Sequence, residues 1–205
     1  MIIYRYLKKT NLNGKLFTSI SGIYKISPTQ MSLSNATIKT STSSADVDIA
    51  LTYPLRGLKS FADSVQLHIE IKRAAFGKAE LKEFIPDWPM LSSKFSGNLN
   101  GTLKDFNLTN ASLAIAKTQI EFDLNAKNIL DGERQNLTGN LRLDSRNLTA
   151  LIPEKGYASE RKLIAAAGLI KGEFGFSLSD KVWHVDTQLE TSLGEIDING
   201  TYNNS

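Results

Sequence analysis

The stretch "ADVDIALTY", residues 45–53, decides the fold class. Val47, Ile49, Leu51 and Tyr53 take every second position, and Asp46, Asp48, Ala50 and Thr52 fall between them. Successive side chains of a strand point to opposite faces, so this alternation describes a strand with one buried and one wet face. A helix would place its apolar residues at spacings of three and four in turn, which a strict alternation by two does not follow.

The same signature recurs outward along the chain. "SVQLHIEIK" (64–72) aligns Val65, Leu67, Ile69 and Ile71, and "QIEFDLN" (119–125) aligns Ile120, Phe122 and Leu124. "GEFGFSL" (172–178) aligns Phe174, Phe176 and Leu178. "VWHVDTQLE" (182–190) can present Trp183, Val185, Thr187 and Leu189, and "EIDINGTY" (195–202) presents Ile196, Ile198 and Tyr202. Weaker strands are expected at 14–20, 23–26, 36–40, 95–103, 112–116 and 137–143, with Asn, Gly, Asp, Ser and Lys at the turns.

Helical signal is thin. Residues 78–85 and 147–152 read as short helical turns, closed by Pro86 and Pro153. "ASERKLIAAAGLI" (158–170) is the best helix, with Ser159 as its cap, Gly172 as its stop, and Leu163, Ile164, Ala167 and Ile170 on one face. The second half of this stretch also admits an extended reading.

The elements repeat. "DVDIALTY" at 46–53 resembles "EIDINGTY" at 195–202, with "QIEFDLNA" at 119–126 halfway between. "LKEFIP" at 81–86 returns as "LTALIP" at 148–153. Each Ile-Pro precedes a strand with spaced glycines, "KFSGNLNGTL" (94–103) and "IKGEFGFSL" (170–178). The order is alternating strand, second strand, Leu-x-x-apolar-Ile-Pro turn, Gly-spaced strand. The reading is one repetitive β segment over 1–205, with modules near 36–110 and 111–185 and a third beginning at 186. A chain of this kind can wind as one long sheet in which neighbours contact only neighbours. If the sheet curls without closing, its apolar face lines a groove.

The run 40–127, from "TSTSSADVDIALTY" to "FDLNAK", resembles the TamB and AsmA-like envelope proteins of Gram-negative bacteria, closest to the Bacteroidetes forms. The resemblance is carried by a Ser-rich lead into an alternating strand, Ser-Phe-Ala-Asp at 60–63, Leu-x-x-Phe-x-Pro at 81–86, and Ser-Gly-x-Leu-x-Gly-Thr-Leu-x-x-Phe at 96–106. It covers 36–153 well and the rest loosely. It implies a mostly β fold: a long curved antiparallel sheet forming an open U-shaped apolar groove, with a few short helices. It implies passage of phospholipid along the groove between inner and outer membranes, support of outer-membrane assembly, and a periplasmic, envelope location. The partners implied are phospholipid acyl chains, the inner membrane through an anchoring helix not found in this chain, and an outer-membrane assembly protein. The chain is then expected to be an internal length of a longer protein. The expected groove-lining residues are Val47, Ile49, Leu51, Val65, Leu67, Ile69, Ile71, Ile120, Phe122, Leu124, Phe174, Phe176, Ile196 and Ile198.

Composition narrows the alternatives. The chain carries 24 basic and 21 acidic residues, evenly spread, so neither nucleic acid nor a strongly anionic partner is indicated. It has no cysteine, which removes disulfides and thiolate metal sites. "MIIYRYLKKTNLNG" is not a signal peptide, because its short apolar run is broken by Arg5 and Lys8. No run approaches the length of a transmembrane helix. No nucleophile elbow, phosphate loop or dinucleotide fingerprint occurs, so the chain reads as a non-enzyme without cofactor or metal. His68 with Glu70, and His184 with Asp186, read as solvated strand positions. Trp88, between two prolines, reads as packing on the sheet end, with a wedge against lipid as the other reading. The Asn-x-Thr triplets at Asn107, Asn136 and Asn147 read as turn-rich composition rather than glycosylation. The competing function is a structural or adhesive β-repeat module with no lipid conduit.

Overall fold

The computed structural model describes residues 2–4, 7–12, 15–55, 58, 60–84, 91–152 and 157–203, with the backbone alone for 2–4, 7–12, 15–16 and 83–84. Thirteen strands form one antiparallel sheet: β1 (Ile2–Tyr4), β2 (Leu7–Leu12), β3 (Lys15–Ile26), β4 (Gln30–Lys39), β5 (Ser44–Thr52), β6 (Gln66–Phe76), β7 (Ser93–Gly101), β8 (Phe106–Ile115), β9 (Thr118–Lys127), β10 (Asn136–Ser145), β11 (Ile170–Ser179), β12 (Val182–Thr191) and β13 (Gly194–Asn203). From β3 onward each strand pairs with its chain neighbours, while β1 and β2 lie end to end along one edge of β3. The sheet is curved and does not close.

Among the described residues three short helices and one 3-10 turn interrupt it. Helix α1 (Phe61–Ser64) lies between β5 and β6, and α2 (Lys78–Phe84) between β6 and β7. The 3-10 turn Leu148–Leu151 and α3 (Ala158–Ala167) lie between β10 and β11. Helix α2 is tied to the β4–β5 turn: Thr40 and Ser43 donate hydroxyl hydrogen bonds to Glu80, and the Gly77 amide donates to the Ser43 hydroxyl. No side chain is tolerated at Gly77, where a Cβ would stand 2.5 Å from Thr42.

The two Leu-x-x-apolar motifs follow β6 and β10, strands four apart in the sheet, so both leave the sheet at the same end. The first is an α-helical turn and the second a 3-10 turn. Leu81, Leu148 and Leu151 are half-buried. Ile85 to Met90, with Pro86 and Trp88, Pro153, and the side chain of Phe84 lie outside the described residues. The three alternating stretches fall on β5, β9 and β13, again four strands apart. The positions 110 and 185, expected as module ends, fall inside β8 and β12.

Three local expectations are corrected. The stretch 158–170 is helical only to Ala167, where Gly168 takes a φ of 67°, and Ile170 opens β11 opposite Ser145. Ile170 therefore packs in the sheet, while Leu163 is exposed instead of sharing a buried face with it. Tyr157, not Ser159, is the cap residue, and no side chain caps the helix. The strands read at 14–20 and 23–26 are one strand, β3, bulged at Gly22.

β-Bulges punctuate the first half of the sheet. Register shifts occur at one level through β3 to β8 and are absent from β9 to β13. In β4 the bulge is Leu33-Ser34-Asn35-Ala36, and in β8 it is Leu108-Thr109-Asn110-Ala111. Both asparagines take positive φ, 48° and 51°, a region that Asn tolerates better than most residues. Bulges bend a strand and raise its twist, and so contribute curvature.

Candidate functional site: the apolar face

Cross-strand partners share a face, so the register gives the composition of each face. One row runs Leu33–Ile49–Ile69–Leu99–Leu108–Leu124 and continues through Gly139 to Phe176 and Val185. A second runs Met31–Leu51–Leu67–Gly101–Phe106–Ala126 and on to Leu137, Leu178, Trp183 and Tyr202. A third joins Ala36, Val47, Ile71 and Gly97, then Ala111, Phe122, Leu141, Phe174, Thr187 and Ile198. A fourth joins Ile38, Ala45, Ala74 and Phe95, then Leu113, Ile120, Leu143, Gly172, Leu189 and Ile196. Thirteen of the fourteen residues expected from the sequence to line a groove stand in these four rows, on one face. Val65, the fourteenth, lies just before β6 and is fully buried in a cluster with Tyr53 and Leu67.

Burial locates the inner side of the curl. Every strand residue less than a tenth exposed, from Ala36 in β4 to Thr187 in β12, lies on this face or in the row that borders it. Alanines there are as buried as valines, because side chains on the inner side of a curved sheet converge. Among the described residues no second sheet covers the face, since every strand belongs to the one sheet. Phe61 of α1 packs on the Tyr53–Val65–Leu67 cluster, at the end of the second row. Glycines in the rows admit neighbouring side chains: the Phe176 ring stands over Gly139, and Leu189 over Gly172. Exposure rises toward β13, where Ile196, Ile198 and Tyr202 are all open to solvent.

The other face is mainly polar, with Ala50, Ala75, Ala114 and Val182 among its apolar residues. His68 Nδ1 lies 2.6 Å from Asn100 Oδ1, and Asn125 donates to Asn107 in the same row. His184 is exposed beside Ser177 and Thr201. Lys72 pairs with Asp48 at 2.7 Å, Arg73 pairs with Asp46, and Lys171 pairs with Asp144 at 3.3 Å. The Lys72 ammonium and the Asn35 amide hold the Asp48 carboxyl below its usual value, and Asp48 in turn raises Lys72. The Thr37 hydroxyl and the Arg73 guanidinium hold Asp46 down likewise. Shallow open hollows lie between these long side chains, one bordered by Arg142, Asp144, Lys171 and Glu190. The lining of this hollow is mixed in charge.

No protein-family model, curated protein or solved structure matches this chain. The geometry of the two faces therefore carries the functional argument.

Sequence reading missed part of the lining. Met31 and Leu33 fall in residues not read as strand, and Leu108 was separated from Leu113 by the bulge at Asn110. The available signal was Leu-Ser-Asn-Ala at 33–36 recurring as Leu-Thr-Asn-Ala 75 positions on. Phe61 had only the Ser-Phe-Ala-Asp tetrapeptide to announce it.

Proposed function

We propose that this chain is a length of trough that carries phospholipid acyl chains through the bacterial envelope, in the manner of the TamB and AsmA-like proteins it resembles. The supporting observation is the set of four largely apolar rows that cross the sheet from β4 to β12 or β13, with no second sheet over them among the described residues. Each methylene moved from water onto such a surface gains roughly 0.8 kcal/mol, so a lipid tail is held by many weak, non-directional contacts. Such contacts let a chain slide, which suits conduction better than storage. On this reading the sheet lies in the periplasm, the polar face meets water, and the conduit links the inner membrane to an outer membrane whose assembly it supports.

Photo-crosslinking amino acids at Ile49, Leu67, Ile69 and Phe122, introduced in cells and read by mass spectrometry, test the reading. Phospholipid adducts are expected at these four positions, and none at His68 or Glu121 on the opposite face. Absence of lipid at all four inner positions defeats the proposal and leaves a structural or adhesive β-repeat.

A further inference from the structure

Strand β13 forms one edge of the sheet, and among the described residues no strand pairs with its outer side. Gly194 faces Thr191 across a two-residue turn, so Ile196, Ile198, Gly200 and Tyr202 bond to β12. The amides and carbonyls of Glu195, Asp197, Asn199 and Thr201 then point outward. All ten residues of the strand are exposed. Edge strands are commonly guarded by proline, lysine, a bulge or short length. β13 has none of these, whereas the opposite edge is divided into β1 and β2, of three and six residues.

The earlier strands show what an edge of this kind faces when it is covered. Asp46 on β5, Glu121 on β9 and Asp197 on β13 hold the same level of the sheet, each between the third and fourth apolar rows. On the preceding strand they meet Thr37, Ser112 and Gln188, which carry no charge. On the following strand Asp46 meets Arg73, and Glu121 meets Arg142. The Arg73 guanidinium pairs with the Asp46 carboxylate. Among the described residues no following strand brings that cation to Asp197. Glu195 beside it stands directly across from Glu190, and β12 and β13 together carry four acidic side chains with no lysine or arginine.

We propose that the free edge of β13 receives an antiparallel strand from a partner polypeptide, with an arginine opposite Asp197 and apolar residues beside it opposite Ile196 and Ile198. Main-chain hydrogen bonds to the outward groups supply affinity, and the alternate side chains supply selectivity. The incoming apolar residues extend the third and fourth rows by one place, beside Ile196 and Ile198, which are 44% and 49% exposed. An acid in place of the arginine would oppose Asp197, and like charges directly opposite destabilise a sheet. Strand β10 is the template, since its Leu141, Arg142 and Leu143 face Phe122, Glu121 and Ile120. A second β13 has no arginine to offer and is not that partner. The proposal concerns the edge alone and does not depend on lipid binding to the apolar face.

The probe is a fluorescent synthetic peptide of residues 136–145, the β10 sequence, added to the 205-residue chain and followed by anisotropy. Saturable binding is expected. Asn199→Pro withdraws one outward amide and sets a ring against the incoming strand. Proline is tolerated on edge strands, so the unfolding midpoint should hold while binding is lost. Asp197→Asn should weaken binding about threefold, within the range of a cross-strand charge pair. Asp197→Arg should weaken it further, and a peptide carrying Arg142→Glu should restore it. No binding by the unaltered chain, binding unchanged by Asn199→Pro, or binding indifferent to the charge at position 197 overturns the proposal. So does a dimer of the unaltered chain that Asn199→Pro dissolves, because the occupant of the edge is then a second copy.

Discussion

Asp123 on β9 accepts a hydrogen bond from the backbone N–H of Asn110 on β8 at 2.7 Å, and 75 residues earlier Asp48 on β5 accepts that of Asn35 on β4. In each case a bulge pushes one amide out of the ladder, and a carboxylate on the next strand receives it. In each case a glycine on the preceding strand, Gly22 or Gly97, stands against the bulge alanine. The device is the same at both places, four strands apart.

Asp123→Ala should therefore lower stability by about 0.5–1 kcal/mol, toward the low end because solvent reaches the bond. Asp123→Asn, whose amide oxygen still accepts, should lose less. Urea unfolding followed by circular dichroism measures both. Equal losses would mean that the hydrogen bond contributes nothing.

Gly97 should not accept a side chain. A Cβ there would lie 3.2 Å from the Ala111 Cα and 3.3 Å from its Cβ, with φ at 159°. Gly97→Ala should cost about 1–3 kcal/mol, the range for overpacking. The exposed Gly132, where a Cβ meets nothing, is the control, and Gly132→Ala should be near neutral.

The two carboxylates of β5 set an acid limb on stability. Asp46 and Asp48 both titrate below their ordinary range in the folded sheet. Their contribution is present above the unfolded value near 4 and is lost as pH falls through the lower folded value. Lys72 is raised, so its contribution holds below the unfolded value and fades as pH climbs through the folded one. Asp48→Asn should flatten both limbs of a plot of unfolding midpoint against pH. Unchanged limbs would refute the linkage.

Leu67 anchors the cluster with Tyr53 and Val65 at 4% exposure, and Leu67→Ala should cost about 2–5 kcal/mol. Leu163→Ala, on the outer side of α3 at 72% exposure, should change little. Thermal unfolding of the two variants tests whether stability resides in the sheet and not in the crossover helix.

Period-two reading found the strands that carry no inserted residue of their own, as β5, β9 and β13. It shortened or split those that carry bulges. A bulge inserts one residue and inverts the alternation beyond it, so β4 was legible only from Ala36 and β8 only from Ser112. Gly22 divided β3 for the same reason. Helix α1 escaped because four residues offer no period at all, although Phe61 seals part of the core. Thr187 falls on the face its alternation gives it, but that its Oγ1 meets no hydrogen-bond partner among the described residues depends on what stands across from it, and a linear pattern carries no such information.

One sheet in which, from β3 onward, each strand meets only its chain neighbours has a consequence for assembly. Along that run every pairing forms between strands consecutive in sequence, so contact order is low and loop closure is inexpensive. Hairpins can dock one after another as the polypeptide emerges, without waiting for a distant partner. The same locality lets evolution lengthen the ribbon by duplicating a four-strand unit, because an inserted unit finds the same neighbours on both flanks. The span of such a protein is set by copy number, and no existing contact has to be redesigned.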